Sequence, residues 1–272
     1  MRFLTLLFLL PLVAAAESVD LRAFQTSVKD QGDRNTCAYF AVTAMVESFI
    51  KTRFGKEFDI SEEFQIYHGK THFKEYADKE FGSTYDIAIN FRNQGFFLTE
   101  EVVPYQPSLF APGRQCAAFD PFDTSAPAIC FSQGPYPWRE LPRVRVDGLE
   151  VNWLSGMWSF GKTRAELIVD ELRQGRPVVI TLKVFPDTWE DELVTYDDAI
   201  NEKCETGVYA CAGHAILLTG FDTETKEFTF KNSWGESWGD AGYGRASFDY
   251  VNRFSDMPIT FRWSRILANL RE

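Results

Sequence analysis

Residues 30–55 read Asp30-Gln31-Gly32-Asp33-Arg34-Asn35-Thr36-Cys37-Ala38-Tyr39-Phe40-Ala41-Val42-Thr43-Ala44-Met45-Val46-Glu47-Ser48-Phe49-Ile50-Lys51-Thr52-Arg53-Phe54-Gly55. From Cys37 to Phe54 the run is helix-forming and apolar on most faces, the pattern of a buried central helix. Asn35 or Thr36 can cap its start, and Gly55 stands where a C-terminal glycine belongs. Cys37 then opens the helix. There the dipole and the free N–H groups favour an anion and lower a thiol's pKa. The competing reading of Cys37 alone is a buried structural cysteine. Gln31, six residues earlier, supplies a side-chain amide. Beside the backbone N–H of a nucleophile such an amide can complete an oxyanion hole, whereas Gln-Gly alone is only a turn.

Outward from this stretch, Ser61-Glu62-Glu63-Phe64 signals a second helix. A third is expected from Tyr85 to about Asn93, closed by Gly95. Residues 104–142 are Pro-rich and irregular, like an inter-lobe stretch. After them 143–151 alternates like a strand, and 163–174 reads as a helix stopped at Gly175. Short β-rich runs follow at 177–184, 214–221, 227–231 and 243–248. Helices first and strands later predict an α+β chain with two lobes, about 27–125 and 126–272.

The 272 residues carry 28 Lys+Arg against 39 Asp+Glu, a net charge of −11. That balance argues against a nucleic-acid binder and against docking on anionic membranes. The 25 Phe favour a large packed interior. Residues 1–16 carry one early positive charge, a short apolar run and an Ala-x-Ala end, the pattern of a secretory signal peptide. Residues 17–272 are then the mature chain, exported to the periplasm or secreted, with no membrane anchor. Five cysteines are present. Cys116 and Cys130 flank one loop and Cys204 and Cys211 another, so local pairing of each is the simplest scheme. A cross-link of this span is worth roughly 3 kcal/mol in the chain-entropy model. Cys37 is left as the odd thiol.

His214 follows Cys211-Ala212-Gly213 and heads an apolar run. Taken alone, a histidine there is more often packing than catalysis. His68 and His72 lie in a helix-like, exposed-looking segment, and no third ligand accompanies them, so no metal is expected. Then comes Lys231-Asn232-Ser233-Trp234-Gly235-Glu236-Ser237-Trp238-Gly239. The order Gln, Cys, His, Asn-Ser-Trp-Gly is far more specific than any of its parts.

With these motifs the sequence resembles the papain-like cysteine proteases over most of the mature chain. Val28-Lys29-Asp30-Gln31-Gly32 resembles the family's oxyanion-glutamine stretch, and Cys37 keeps the family's spacing from it. Ile60-Ser61-Glu62-Glu63, Val103-Pro104-Tyr105 and Gly175-Arg176-Pro177-Val178 resemble further family signatures. Gly213-His214-Ala215 and Asn232-Ser233-Trp234-Gly235 match the His and Asn motifs. The resemblance implies a two-lobe fold: a helical left lobe carrying the nucleophile helix, and an antiparallel β-barrel-like right lobe across an active-site cleft. It implies a Cys37-His214-Asn232 triad with Gln31 at the oxyanion, Trp234 shielding the His–Asn hydrogen bond, and Gly82 against the substrate backbone. Ala212 and Gly213 would form small walls of the non-prime pocket, and Thr181 a polar one. The substrate is then a protein or peptide, no metal or organic cofactor is needed, and a monomer is expected.

The chain also departs from the pattern. Ala38 stands where the family usually has Trp, and Arg34 where it commonly has a structural Cys. The two proposed cysteine pairs are not the usual ones. The signal-like segment runs almost straight into Ser18-Val19-Asp20, without room for a pro-region, a bacterial-looking layout. Rival readings are a catalytically inactive papain-fold binder, another Cys–His acyl-transfer enzyme (transglutaminase or cell-wall amidase), and a thiol-redox protein. The last is disfavoured because no Cys-x-x-Cys occurs. Between Asp187 and Glu205 lie eight acids and one base. They read either as a solvated loop or as an acidic rim that attracts basic substrates and raises the pKa of His214.

Overall fold

The computed structural model describes residues 16–77, 79–107, 134–154, 161–209, 211–264 and 268–271. The signal-like segment, apart from Ala16, and the Cys116 and Cys130 pair lie outside the described residues.

Helix α1 spans Cys37–Phe54 and ends on Gly55, whose φ of 65° is the left-handed conformation a C-terminal glycine adopts at no steric cost. Thr36 occupies the N-cap position, but its hydroxyl does not cap. It pairs instead with the Tyr105 hydroxyl at 2.7 Å. Residues on every side of α1 are buried, because the helix is covered by helices on one side and a sheet on the other. Helix α2, Glu62–His68, is capped by Ser61, which accepts from the Phe64 N–H. It runs on into a wider helical turn at Gly69–Phe73. Helix α3, Thr84–Gln94, is capped by Ser83 and closed by Gly95 with φ 66°.

The sheet strands are β1 (Ser18–Asp20), β4 (Leu149–Trp153), β5 (Val178–Val184), β6 (Leu193–Val194), β7 (Ala212–Asp222), β8 (Glu227–Lys231), β9 (Tyr243–Ser247) and β10 (Ser255–Trp263). Their order is β4-β10-β5-β7-β8-β9-β6, with β1 also paired to β7. The pairings are antiparallel except β6 with β9. Among the described residues the path is open, so the right lobe is a mixed, mostly antiparallel sheet rather than the barrel-like form expected. A second sheet joins β11 (Asn269–Arg271), β3 (Val144–Asp147) and β2 (Phe96–Phe97). The single strand expected over 143–151 is in fact two strands on different sheets. Gly148, with φ 87°, makes the break.

Alternation along the strands divides the sheet's two faces. Val179, Leu217, Ile259 and Phe261 pack in one core with Val42, Met45, Val46 and Phe49 of α1 and Ile87 and Phe91 of α3. Val178, Ile180, Leu182, Ile216 and Leu218 belong to a second core with Ile168 and Leu172 of helix α4 (Arg164–Arg173) and Tyr250 and Val251 of helix α6 (Phe248–Phe254). Each such fully buried side chain contributes about 1.5–3 kcal/mol. Burial of α1 against β7 is what brings the start of that helix beside the start of that strand. Helix α5, Asp198–Glu205, was not expected. Asp197 caps it, accepting from the Ile200 N–H at 2.9 Å.

Candidate active site

Cys37 is a free, partly exposed thiol at the first turn of α1. His214 lies on β7, opposite Leu182 of β5, and is buried. Asn232 follows the last residue of β8, and its N–H is held by the Gly242 carbonyl at 2.9 Å. The antiparallel pairing of β7 with β8 brings the two side chains together, with His214 Nε2 2.7 Å from Asn232 Oδ1. The Ser233 N–H donates to the same Oδ1 at 2.8 Å, which fixes the orientation of the amide. An oxygen facing Nε2 accepts, so Nε2 carries the ring proton and Nδ1 keeps a lone pair in the neutral imidazole. Nδ1 is the nitrogen left to take a proton from a thiol.

Two tryptophans flank the ring. Trp234 lies over it, with centroids 4.5 Å apart and planes inclined by 31°. Trp189 meets it edge-on at 5.6 Å and is itself anchored by a hydrogen bond to the Tyr250 hydroxyl. Trp189 was not singled out in the sequence, although a lone tryptophan inside the acidic run was a usable signal. Burial pushes His214 down to about 4, opposed by the bond to Asn232. Burial also raises the Cys37 thiol, opposed by backbone N–H groups of Ala215, Ala38 and Cys37 itself. Each group alone therefore resists ionising. Both line the same cleft, where a proton passed from one to the other would create two opposite charges, each offsetting the other's burial penalty.

Gln31 is buried and pinned at three points. Its N–H meets the Ser233 carbonyl at 2.9 Å, its Oε1 accepts from the Ser233 hydroxyl at 2.7 Å, and its Nε2 donates to the Arg34 carbonyl at 2.7 Å. The second Nε2 hydrogen is left for a ligand. The Asp30–Trp234 bridge and the Gly235 N–H on the Lys29 carbonyl continue this seam. The loop before α1 is thus stitched to the Asn232 loop.

Gln31, Cys37, Gly82, Thr181, Ala212, Gly213, His214 and Trp234 all line one cleft of about 650 Å³. Asn232 does not line it. It sits behind His214, beside a separate cavity of about 20 Å³ shared with Lys29, Glu47, Glu62 and Lys231, room for about one water molecule. A Cβ on Gly82 would fall 2.7 Å from Glu75 Oε1 and 2.9 Å from Ile87 Cδ1, so the glycine lets its loop sit directly on α3. Lys79, Phe81 and Val184 also face the cleft and were not anticipated.

Four sequence expectations fail here, the first being a lowered Cys37 pKa, since burial outweighs the helix start and raises the thiol. None of the eight acids of 187–205 lines the cleft, and the pKa of His214 is lowered, not raised. Several of those acids are neutralised locally: Glu205 by Lys183 at 2.6 Å, Asp198 by Arg253, and Glu192 by Arg245 at 3.8 Å. His68, expected to be exposed, is buried and stacked on His72 at 4.7 Å. Among the described residues no group of three or more His, Cys, Asp or Glu is placed to hold a metal. Cys204 and Cys211 form a disulfide with Cα atoms 5.6 Å apart, just ahead of β7.

The family model described as papain family cysteine protease matches residues 15–255. Gamete and mating-type specific protein A of Dictyostelium discoideum is 24% identical over 84% of this chain and 42% of its own length. Procathepsin L of Felis catus is 24% identical over 88% of this chain and 63% of its own length. The chain thus spans less than two thirds of either relative. Among solved structures, xylellain, a cysteine protease from Xylella fastidiosa, superposes with a TM-score of 0.66 at 19% identity. It covers 91% of this chain and 86% of its own. The bromelain protease from Ananas comosus gives 0.61 at 17% identity, covering 91% and 99%. At such identities the structural likeness establishes the fold.

Proposed function

Because this chain belongs to the papain family of cysteine proteases, we propose that it hydrolyses peptide bonds, with Cys37 as nucleophile, His214 as acid and base, and Asn232 as the residue that orients the imidazole. The observation that carries this reading is the bond from His214 Nε2 to an Asn232 Oδ1 whose direction is fixed by the Ser233 N–H. It leaves a basic Nδ1 in the cleft that Cys37 lines.

The Cys37 Sγ–H proton passes to His214 Nδ1, and the sulfur pair attacks the substrate carbonyl carbon. The carbonyl π pair moves to oxygen, between the free Gln31 Nε2–H and the Cys37 backbone N–H. As the tetrahedral species collapses, the C–N bond breaks and His214 gives its proton to the leaving amine. The thioester left on Cys37 is attacked by water, whose proton goes to His214 and then back to sulfur as the acid departs. Trp234 and Trp189 keep water from the His–Asn bond, so the developing imidazolium is stabilised in a dry setting. Gly82 gives the substrate backbone close access, and Thr181, Ala212 and Gly213 leave room for a sizeable side chain.

Export through the 1–16 segment is part of the proposal. The Cys204–Cys211 disulfide supports it, since disulfides persist in oxidising compartments. N-terminal sequencing of the exported protein should begin at Glu17. Cys37→Ala tests the activity: it should abolish hydrolysis of casein-like substrates and leave the circular dichroism spectrum unchanged. A folded wild type that cleaves nothing and whose Cys37 resists an epoxide thiol inhibitor would favour the binding-protein alternative.

A further inference from the structure

We propose that Arg34 is a positioning residue for two cleft-lining loops of the helical lobe, the one before α1 and the one at 79–83, and that its buried ion triad with Glu63 and Glu80 is the staple that holds them together. The proposal rests on the peptidase reading above.

Arg34 is 2% exposed, and Glu63 and Glu80 are fully buried. Its Nη1 lies 2.6 Å from Glu63 Oε2 and its Nε 2.7 Å from Glu80 Oε1. Nη1 also donates to the Gln106 carbonyl at 3.0 Å, and the guanidinium lies 5.1 Å from the centre of the Tyr105 ring. One side chain thereby ties the loop before α1 to α2, to the stretch after Val103, and to the loop before α3. The two ends that matter most are close in sequence to substrate-facing atoms. The backbone carbonyl of Arg34 accepts from the Gln31 amide that faces the oxyanion. Glu80 precedes Gly82 by two residues.

The rest of that glycine loop is held in the same manner. Glu75 Oε1 accepts from the Ser83 N–H at 2.9 Å, and the buried Lys70 ammonium donates to the Phe81 carbonyl at 3.2 Å. Arg34 reaches Glu80 through Nε and Glu63 and the Gln106 carbonyl through Nη1, a separation of donors that a single ammonium does not reproduce, so lysine is a poor replacement. The resemblance places a cysteine at this position. An ion triad there needs no oxidant to form and does not compete with the reduced state that Cys37 must keep.

The test compares the full-length wild type with Arg34→Lys and Glu80→Gln by three readouts. These are kcat and KM on a fluorogenic peptide, the rate of iodoacetamide alkylation at Cys37, and amide hydrogen exchange across 31–36, 79–83 and α1. Alkylation needs the thiolate but neither the oxyanion hole nor the glycine loop. Arg34→Lys should lower kcat about 100-fold, the scale of an ångström-sized misplacement. Cys37 alkylation should stay within about threefold. Exchange should quicken in 31–36 and 79–83 while α1 is unchanged. Glu80→Gln keeps an acceptor for Nε, so it should fold normally, with a smaller loss that falls mainly on KM. Unchanged exchange in both loops overturns the proposal, as does exchange that quickens equally in α1, which would mark a merely structural role. If the wild type cleaves no peptide, the peptidase reading falls, and the exchange pattern still decides whether Arg34 staples the two loops.

Discussion

Replacing Asn232 with alanine removes one acceptor from two buried donors, His214 Nε2–H at 2.7 Å and the Ser233 N–H at 2.8 Å. The ground state suffers, because each buried donor left unpaired costs about 1–3 kcal/mol. The catalytic loss comes from the difference between states. In the transition state proposed above His214 would be an imidazolium, and its bond to Asn232 would be charge-assisted, worth about 1.5–3 kcal/mol. The neutral bond lost from the ground state is worth about 0.5–1.5 kcal/mol, so the difference is about 1–1.5 kcal/mol and kcat/KM should fall by about 5- to 13-fold, at 1.36 kcal/mol per decade. His214→Ala removes the proton acceptor itself and should cost more, about a thousandfold or beyond. The assay is steady-state hydrolysis of a fluorogenic peptide, paired with the pH profile of Cys37 alkylation. The profile of Asn232→Ala should shift to higher pH, because the imidazolium partner of the thiolate is less stable. Activity within twofold of wild type, or a loss as large as that of His214→Ala, would refute the positioning role given to Asn232.

Gly82→Ala should lower kcat/KM mainly through KM, because a Cβ 2.7 Å from Glu75 Oε1 lifts the loop from its seat; overpacking of this kind costs about 1–3 kcal/mol, and KM on an extended peptide checks it. His68 is held by burial and by His72 at about 4, against 6.5 ordinarily. Between those values the unfolded chain binds the extra proton, so stability from this site is present at neutral pH and is lost as pH falls through 6.5 towards 4. Wild type should accordingly lose about 1–2 kcal/mol relative to His68→Phe between pH 7 and pH 5, by urea midpoints at the two pH values. Breaking the Cys204–Cys211 link by a double serine substitution should destabilise the chain by about 2–3 kcal/mol. Thermal unfolding would show it, and an unchanged midpoint would contradict it.

Local signals were the legible ones. Helix α1 runs over the residues its composition and Gly55 marked, because cap and propensity act within one segment. The same holds for α3, stopped at Gly95, and for α4, which opens after Thr163 and ends at Arg173, ahead of Gly175. Signals that depend on partners far along the chain were hidden. Thr36 was legible as a cap position, yet Tyr105 takes its hydroxyl. The break at Gly148 depends on which sheet each half joins. The acidic run concealed α5, because charge density masks a short helix. Three of its eight carboxylates pair with Lys183, Arg245 and Arg253, and none of the eight lines the cleft. The residues expected at the site from motif order do share one cleft, Asn232 standing behind it. The Arg34 triad, assembled from positions 34, 63 and 80, had no sequence signature beyond a departure from the resemblance.

The central claim is that Cys37 attacks the substrate carbonyl and carries the acyl group. Acid quenching of the protein during peptide turnover, followed by peptide-level mass spectrometry, tests it most directly. The mechanism predicts a thioester adduct on Cys37 that matches the N-terminal side of the cleaved bond, with neither adduct nor cleavage in Cys37→Ala. Peptide cleavage that persists in Cys37→Ala, or turnover with the acyl group on another residue, would contradict it.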